Sequence, residues 1–381
     1  MDITKIRDDF PVTREGRIYL DSASLNAYPT PVVAAVTKAY EERSRTGVDS
    51  YWKWLEVADE ARAQCARLIN AETDEIALVE CTGIGMNIVA NMLDWEEGDN
   101  VVINDLEFFP YQWLRLRKHG VEVRTIRSTK PDGSMDVTIA DLRATSDERT
   151  KAIVVSQVPS INGLKFDLEA VGALAKERGA YLVVDGIQSV GALQIDVRQG
   201  PVDFMSCGGH KWLLAPLGTG FFFCRRELIE RFEPVYVGWR SHKDLFGSSH
   251  TYGEYELGPT AERFMSGNFN MAGVHGLLAG VKYLLDIGME EIEKRNMALA
   301  DRVVEGIQEL GLRFLSPLRR EARSHIVNFI PTDCDKMLQA LTDAHIIVPK
   351  RGEGMRVSPN FFNEEWEIDR LLEVVAEVEG R

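Results

Sequence analysis

Val202-Asp-Phe-Met-Ser-Cys-Gly-Gly-His-Lys-Trp212 decides the fold. An apolar strand beginning at Val202 ends in two glycines and then presents His210 and Lys211 where a helix would otherwise start. A lysine attacks carbonyls only as the free base, so its reference pKa of roughly 10.4 has to be lowered, and glycine-rich backbone over a buried strand end supplies the desolvation. The plain alternative is a solvated turn lysine. Upstream, Tyr181-Leu-Val-Val-Asp185 is a second apolar strand that closes on an acid and opens Gly186-Ile-Gln-Ser-Val-Gly191. An acid and a lysine at the carboxyl ends of consecutive strands in an α/β sheet both face the crevice where such folds bind ligands.

One kind of ligand needs both groups. A pyridine cofactor requires a carboxylate to keep its ring nitrogen protonated, so that the ring accepts electrons, and a lysine to hold its aldehyde. The pair therefore points to pyridoxal 5'-phosphate.

Working outward, short apolar runs bounded by polar turns recur at Ile76–Val79, Val101–Asn104, Val121–Ile126, Ala152–Gln157, Tyr181–Asp185, Val202–Cys207 and Gly220–Cys224. Helical spacing at Val32–Thr46 and Glu169–Arg178 separates them, and this alternation predicts a mostly parallel seven-stranded sheet sandwiched by helices. Gly220–Cys224 follows the lysine turn closely enough to be an antiparallel member. A helical stretch from Ala272 to about Glu309 precedes a small α+β C-terminal domain. The expected organisation is an N-terminal arm over 1–20 belonging with the small domain, a large domain over 21–280 and the small domain over 281–381.

The 381 residues carry 44 basic against 59 acidic side chains, a net charge of −15 that disfavours nucleic acid and anionic membranes as partners. Five scattered cysteines without a C-x-x-C pair suggest neither a disulfide framework nor a metal site. The opening residues Met1 to Phe10 lack the apolar core of a secretory signal, and a cytoplasmic location is expected.

Seven motifs, in order and spacing, resemble the class V aminotransferase family of fold-type I pyridoxal phosphate enzymes, in the branch of cysteine desulfurases, selenocysteine lyases and isopenicillin-N-epimerase-like proteins. They are Tyr19-Leu-Asp-Ser-Ala-Ser24, Cys81-Thr-Gly-Ile-Gly-Met-Asn87, Glu107-Phe-Phe-Pro110, Asp185-Gly-Ile-Gln188, Gly209-His-Lys-Trp212, Arg263–Asn270 and Met355-Arg-Val-Ser358. Thr82 and Gly83 lie between a strand and a helical run, where free backbone N–H groups and the helix dipole suit a phosphate. The resemblance implies that Phe108 stacks on the cofactor ring, with Phe109 the candidate one residue on. It implies that Gln188 and Gln157 lie near the phenolic oxygen, that His210 reaches the phosphate, and that Arg356 pairs with the substrate carboxylate. It also implies a homodimer in which Asn268 reaches the neighbouring chain's active site.

Departures from the pattern matter as much. Gly208 stands where relatives carry a serine, and Phe108 replaces a ring that is histidine in desulfurases. The loop ahead of Arg356 is Lys350-Arg-Gly-Glu-Gly354, with no cysteine where desulfurases place their nucleophile. Cys65, Cys81, Cys207 and Cys224 lie in apolar runs or the cofactor cup, where inert buried thiols are the usual case. The resulting expectation is an amino-acid lyase that cleaves C–S bonds by β-elimination, with Lys211 as the catalytic base. An aminotransferase or epimerase is the first alternative; a desulfurase, a selenocysteine lyase or a non-catalytic cofactor-binding protein follows.

Overall fold

A two-stranded start and a seven-stranded sheet set the frame of the computed structural model, which describes residues 1–108, 110–130, 135–244 and 255–381. Phe109 lies outside the described residues. After β1 (Ile18–Tyr19) come β2 (Ile76–Val79), β3 (Asn100–Asn104), β4 (Glu122–Ile126), β5 (Thr150–Ser156), β6 (Tyr181–Asp185), β7 (Phe204–Gly208) and β8 (Gly220–Cys224). Strands β2 to β8 form one sheet in the order β2-β8-β7-β6-β5-β3-β4. Neighbours run parallel except at β8, which is antiparallel to both β7 and β2. The turn from β7 into β8 is too short for a crossover helix, so only an antiparallel return is available.

Every residue of β2, β3, β7 and β8 is buried, as in a sheet covered on both faces. The helix Leu168–Arg178 starts where Asp167 accepts the N–H groups of Glu169 and Ala170, and it stops at Gly179 in the left-handed conformation. The helix Thr82–Met92 packs directly on β7. Glycine is required there, because a Cβ at Gly85 would fall 2.6 Å from Ser206 Cβ. That close approach brings the start of the helix to the carboxyl end of β7.

The helical stretch expected to run unbroken from Ala272 to Glu309 is two helices, Met271–Ile287 and Met289–Glu309. Gly288 separates them at φ +96, a conformation that only glycine adopts without strain. A second antiparallel sheet follows, from β9 (Arg313–Phe314), β10 (Val327–Ile330), β12 (Lys350–Arg351) and β13 (Gly354–Val357), in the order β12-β13-β10-β9; β11 (Ile346–Ile347) pairs instead with β1.

Among the described residues two large apolar cores result, beside a small cluster of Ala39, Trp54 and Ala272. Ile6 and Phe10 pack in the larger one, where Phe10 stacks on Phe362 at 4.3 Å, whereas Ile18 and Leu20 pack in the smaller one. Past β1 the chain continues beside β13, with Asp21 bridged to Ser358. This pairing carries Asp21 and Ser24 to the foot of β13. Among the described residues no helix is long and apolar enough to cross a membrane.

Candidate active site

The carboxyl ends of β5, β6 and β7 open into a cavity of about 860 Å³. Asp185, Lys211, Thr82, Gly83, Phe108 and Arg356 line it, together with Gln188 and His210. Eight of the ten sequence-derived site residues are thus brought to one place.

Lys211 sits on a turn held by backbone alone. Gly209 N–H donates to the Thr219 carbonyl at 2.7 Å, Ala215 N–H to Gly209 at 2.9 Å and Leu214 N–H to Lys211 at 3.1 Å. Burial pushes the Lys211 amine down to about 8; Asp185 opposes this, and the Arg356 and Arg351 guanidiniums add to it. The amine lies 5.9 Å from the centroid of the Phe108 ring. Asp185 accepts the Ile187 N–H at 2.9 Å, and burial lifts its carboxyl to about 6 against that bond and against Lys211. The acid stays mostly ionised at neutral pH.

The cup at Thr82 is tied to β7. Thr82 Oγ1 accepts the Gly208 N–H at 2.9 Å, and the Ser206 hydroxyl donates to the Thr82 carbonyl at 3.0 Å. No side chain caps the helix Thr82–Met92, so the N–H groups of Thr82 and Gly83 remain available at the cavity, while Ile84 N–H donates to the Cys81 carbonyl at 3.1 Å. His210 is half-buried beside it, with its imidazole pKa lowered by burial and then by Lys211.

Four placements differ from the sequence reading. Gln157 does not reach the cavity; strand alternation turns Ser156 toward it, and Gln157 lines a separate polar hollow near Asn70 and Asp196. Gln188 lines the cavity, but its carboxamide is already engaged, donating to the Ala23 carbonyl at 2.9 Å and accepting from Trp212 Nε1 at 2.7 Å. One N–H of Gln188 is left for a ligand. Arg356 is 2% exposed and its fork is largely spent, since Nη2 donates to Asp21 at 2.7 Å and Ser24 at 2.5 Å while Nη1 donates to the Ser160 carbonyl at 3.1 Å. Cys81, expected to be buried, is exposed on the cavity wall, whereas Cys65, Cys207 and Cys224 are buried. Asn268 lies outside this chain's own cavity and accepts from the Tyr51 hydroxyl at 3.2 Å.

The sequence reading passed over three cavity residues. Glu107 accepts the Ser156 N–H at 2.7 Å and hydroxyl at 2.8 Å, and Asn104 at 2.8 Å. Burial lifts its carboxyl to about 7, against the Ser156 bonds and with help from the Asp185 charge. Ser156 was legible as the alternate of Gln157. Arg351, the third, had no signal beyond its loop.

Behind Lys211, the Trp212 ring meets His325 edge-on at 4.2 Å. His325 is wholly buried, and burial pushes its imidazole down to about 3. Between about 6.5 and 3 the unfolded chain therefore binds a proton that the folded chain refuses, so stability should fall as pH falls, by about 1.4 kcal/mol per pH unit. Urea unfolding of the native protein and of His325→Gln at pH 7, 6 and 5 checks this. A native midpoint that declines no faster than the variant's would contradict it.

The sheet, its carboxyl-end crevice and the acid–lysine pair define an α/β enzyme. The aminotransferase class V family model matches residues 18–369, and the chain belongs to that family. A probable cysteine desulfurase of Methanothermobacter thermautotrophicus is 31% identical over 405 aligned residues, covering 98% of each chain. The apo structure of a cysteine desulfurase from Thermococcus onnurineus superposes with a TM-score of 0.88 at 27% identity, covering 99% of this chain and 98% of that one. The cystine C–S lyase C-DES, in complex with its reaction product cysteine persulfide, shares the fold with a TM-score of 0.87 at 22% identity, over 97% of this chain and 99% of its own.

Pyridoxal 5'-phosphate fits these residues. The uncapped N–H groups of Thr82 and Gly83 would hold its phosphate, Asp185 its ring nitrogen, the Phe108 face its ring and Lys211 its aldehyde carbon.

Proposed function

We propose that the protein is a pyridoxal phosphate-dependent lyase that breaks the C–S bond of a cysteine derivative by β-elimination, without a thiol nucleophile. The observation that carries this reading is the hairpin β12–β13. It turns tightly through Gly352 and Glu353, lends Arg351 and Arg356 to the cavity wall, and brings no cysteine there. Cys334, the nearest thiol in sequence, bonds the Glu353 carbonyl at 3.2 Å and does not line the cavity.

When bound, the cofactor supplies an electron-accepting ring conjugated to the substrate nitrogen. The chain supplies the rest. Lys211, with its amine near 8, is partly free base at neutral pH and takes the proton from the substrate Cα. Asp185 holds a proton at the ring nitrogen. Arg356, its guanidinium held from behind by Asp21, and Ser24 orient the substrate carboxylate, and Phe108 and Trp113 give the cavity apolar faces. That a cystine C–S lyase shares this fold supports the reading.

The exposed Cys81 and the desulfurase relatives favour a second reading, in which a thiol accepts sulfur and alanine is released. The test is to incubate cofactor-loaded protein and its Cys81→Ala variant with cysteine and S-substituted cysteines, and to assay keto acid, sulfide and alanine. Pyruvate from both proteins is expected. Alanine from the native protein alone would replace the lyase by a desulfurase, and conversion of the L-amino acid to its D-form without keto acid would replace it by an epimerase. The same preparation should sediment as a dimer if Asn268, which lies outside its own chain's cavity, reaches that of a second copy as the family resemblance implies.

A further inference from the structure

Two guanidinium groups converge on one hydroxyl in the cavity wall. Arg356 Nη2 donates to Ser24 Oγ at 2.5 Å and Arg351 Nη2 donates to the same oxygen at 3.0 Å. Their circumstances differ. Arg356 is buried and ion-paired with Asp21 at 2.7 Å. Arg351 is exposed on the hairpin, its other contact is the Lys350 carbonyl at 3.3 Å, and among the described residues no carboxylate pairs with it.

Charge balance then constrains what the cavity takes. Lys211 has Asp185 as its counter-charge and Arg356 has Asp21, so both are matched before a substrate arrives. An amino acid brings an ammonium and a carboxylate, which cancel. Neither charge of the substrate's amino-acid end falls to Arg351, the cavity-wall guanidinium that no carboxylate pairs with among the described residues. An exposed guanidinium beside a cavity of about 860 Å³, larger than an amino acid as small as cysteine needs beside a cofactor, calls for one further anion at the far end of a longer side chain.

Resting on the amino-acid reading of this site, we propose that Arg351 binds a second anionic group on the substrate, so that the enzyme acts on amino acids whose side chain ends in a carboxylate or a like oxyanion. For C–S cleavage the substrate is then an S-substituted cysteine whose departing thiol carries that anion. Lys211 takes the Cα proton, the Cβ–S bond breaks with its electron pair on sulfur, and water completes the release of pyruvate and ammonia. Arg351 fixes the anionic tail and so aims the C–S bond. It is a specificity-determining residue rather than a catalytic one.

Calorimetric titration of the cofactor-loaded protein with unreactive acids tests this without turnover. Glutarate should bind about tenfold tighter than valerate, which has the same chain and one carboxylate. Arg351→Gln should reduce that gap to within about twofold, and Arg351→Lys, which keeps the charge but not the fork, should retain part of it. If 4-sulfobutyrate matches glutarate, any oxyanion is taken; if it behaves like valerate, the carboxylate is selected, and either result supports the proposal. Glutarate binding no tighter than valerate overturns it, whether both bind or neither does, as does a gap that survives Arg351→Gln. A gap present without pyruvate formation would refute the lyase reading alone, and pyruvate formation without a gap would refute this one alone.

Discussion

Lys211→Ala should lower turnover by about 10⁴-fold, because it removes the cavity amine proposed both to anchor the cofactor and to take the Cα proton. Among the described residues no other lysine lines that cavity, so no neighbour can substitute. The turn bearing it is held by the carbonyls of Thr219, Gly209 and Lys211 itself, all of which an alanine preserves. Thermal unfolding of the apoprotein should accordingly be little changed. A second readout isolates the amine: with its pKa near 8, about a tenth of Lys211 is free base at pH 7, against less than about a thousandth for an ordinary lysine. Capture of added cofactor, followed by its absorbance, should therefore quicken about tenfold per pH unit up to about pH 8 and then level off, and the variant should show no such profile. A variant turning over within tenfold of the native rate would remove Lys211 from the chemistry.

How far the sequence revealed this site follows from what each residue depends on. Tyr181–Asp185 and Gly220–Cys224 were legible to the residue, since a strand covered on both faces must be apolar throughout and polar turns bound it. Asp185 and Lys211 were legible because they stand where apolar runs end. Gln157 was misplaced by one position in an alternating strand, and a shift of one exchanges the faces of a sheet: Ser156 meets Glu107 and the cavity, and Gln157 meets the hollow beyond. The spent fork of Arg356 depended on Asp21 and Ser24, far away in the chain and delivered by the bridge of Asp21 to Ser358. No periodicity or local motif encodes such a pairing. Arg351 was invisible for a related reason: an exposed arginine in a glycine-bounded hairpin reads as surface until the tertiary fold turns it toward Ser24.

Asp185→Asn should lower turnover by about 10²- to 10³-fold while leaving the cavity's shape intact. Asparagine matches aspartate in size and its Oδ1 can still accept the Ile187 N–H, so what is lost is the negative charge. That charge has two effects here, and they separate in experiment. Toward the ring nitrogen it is proposed to hold a proton, without which the ring would withdraw electrons poorly and turnover would fall. Toward Lys211 it raises the amine pKa, in opposition to burial and to both arginines. Removing it therefore frees the amine at lower pH, so the profile of cofactor capture should shift below the native pH of about 8 and capture near neutrality should become faster. Burial also lifts the Asp185 carboxyl to about 6, above its ordinary range, so ionising it near neutrality opposes folding; the neutral amide escapes that cost, and the apoprotein should be no less stable. Faster capture, unimpaired stability and slower turnover in one variant would fit only a carboxylate that acts on the bound ring. Slower capture together with a lowered unfolding midpoint would instead make Asp185 a structural residue of the sheet end.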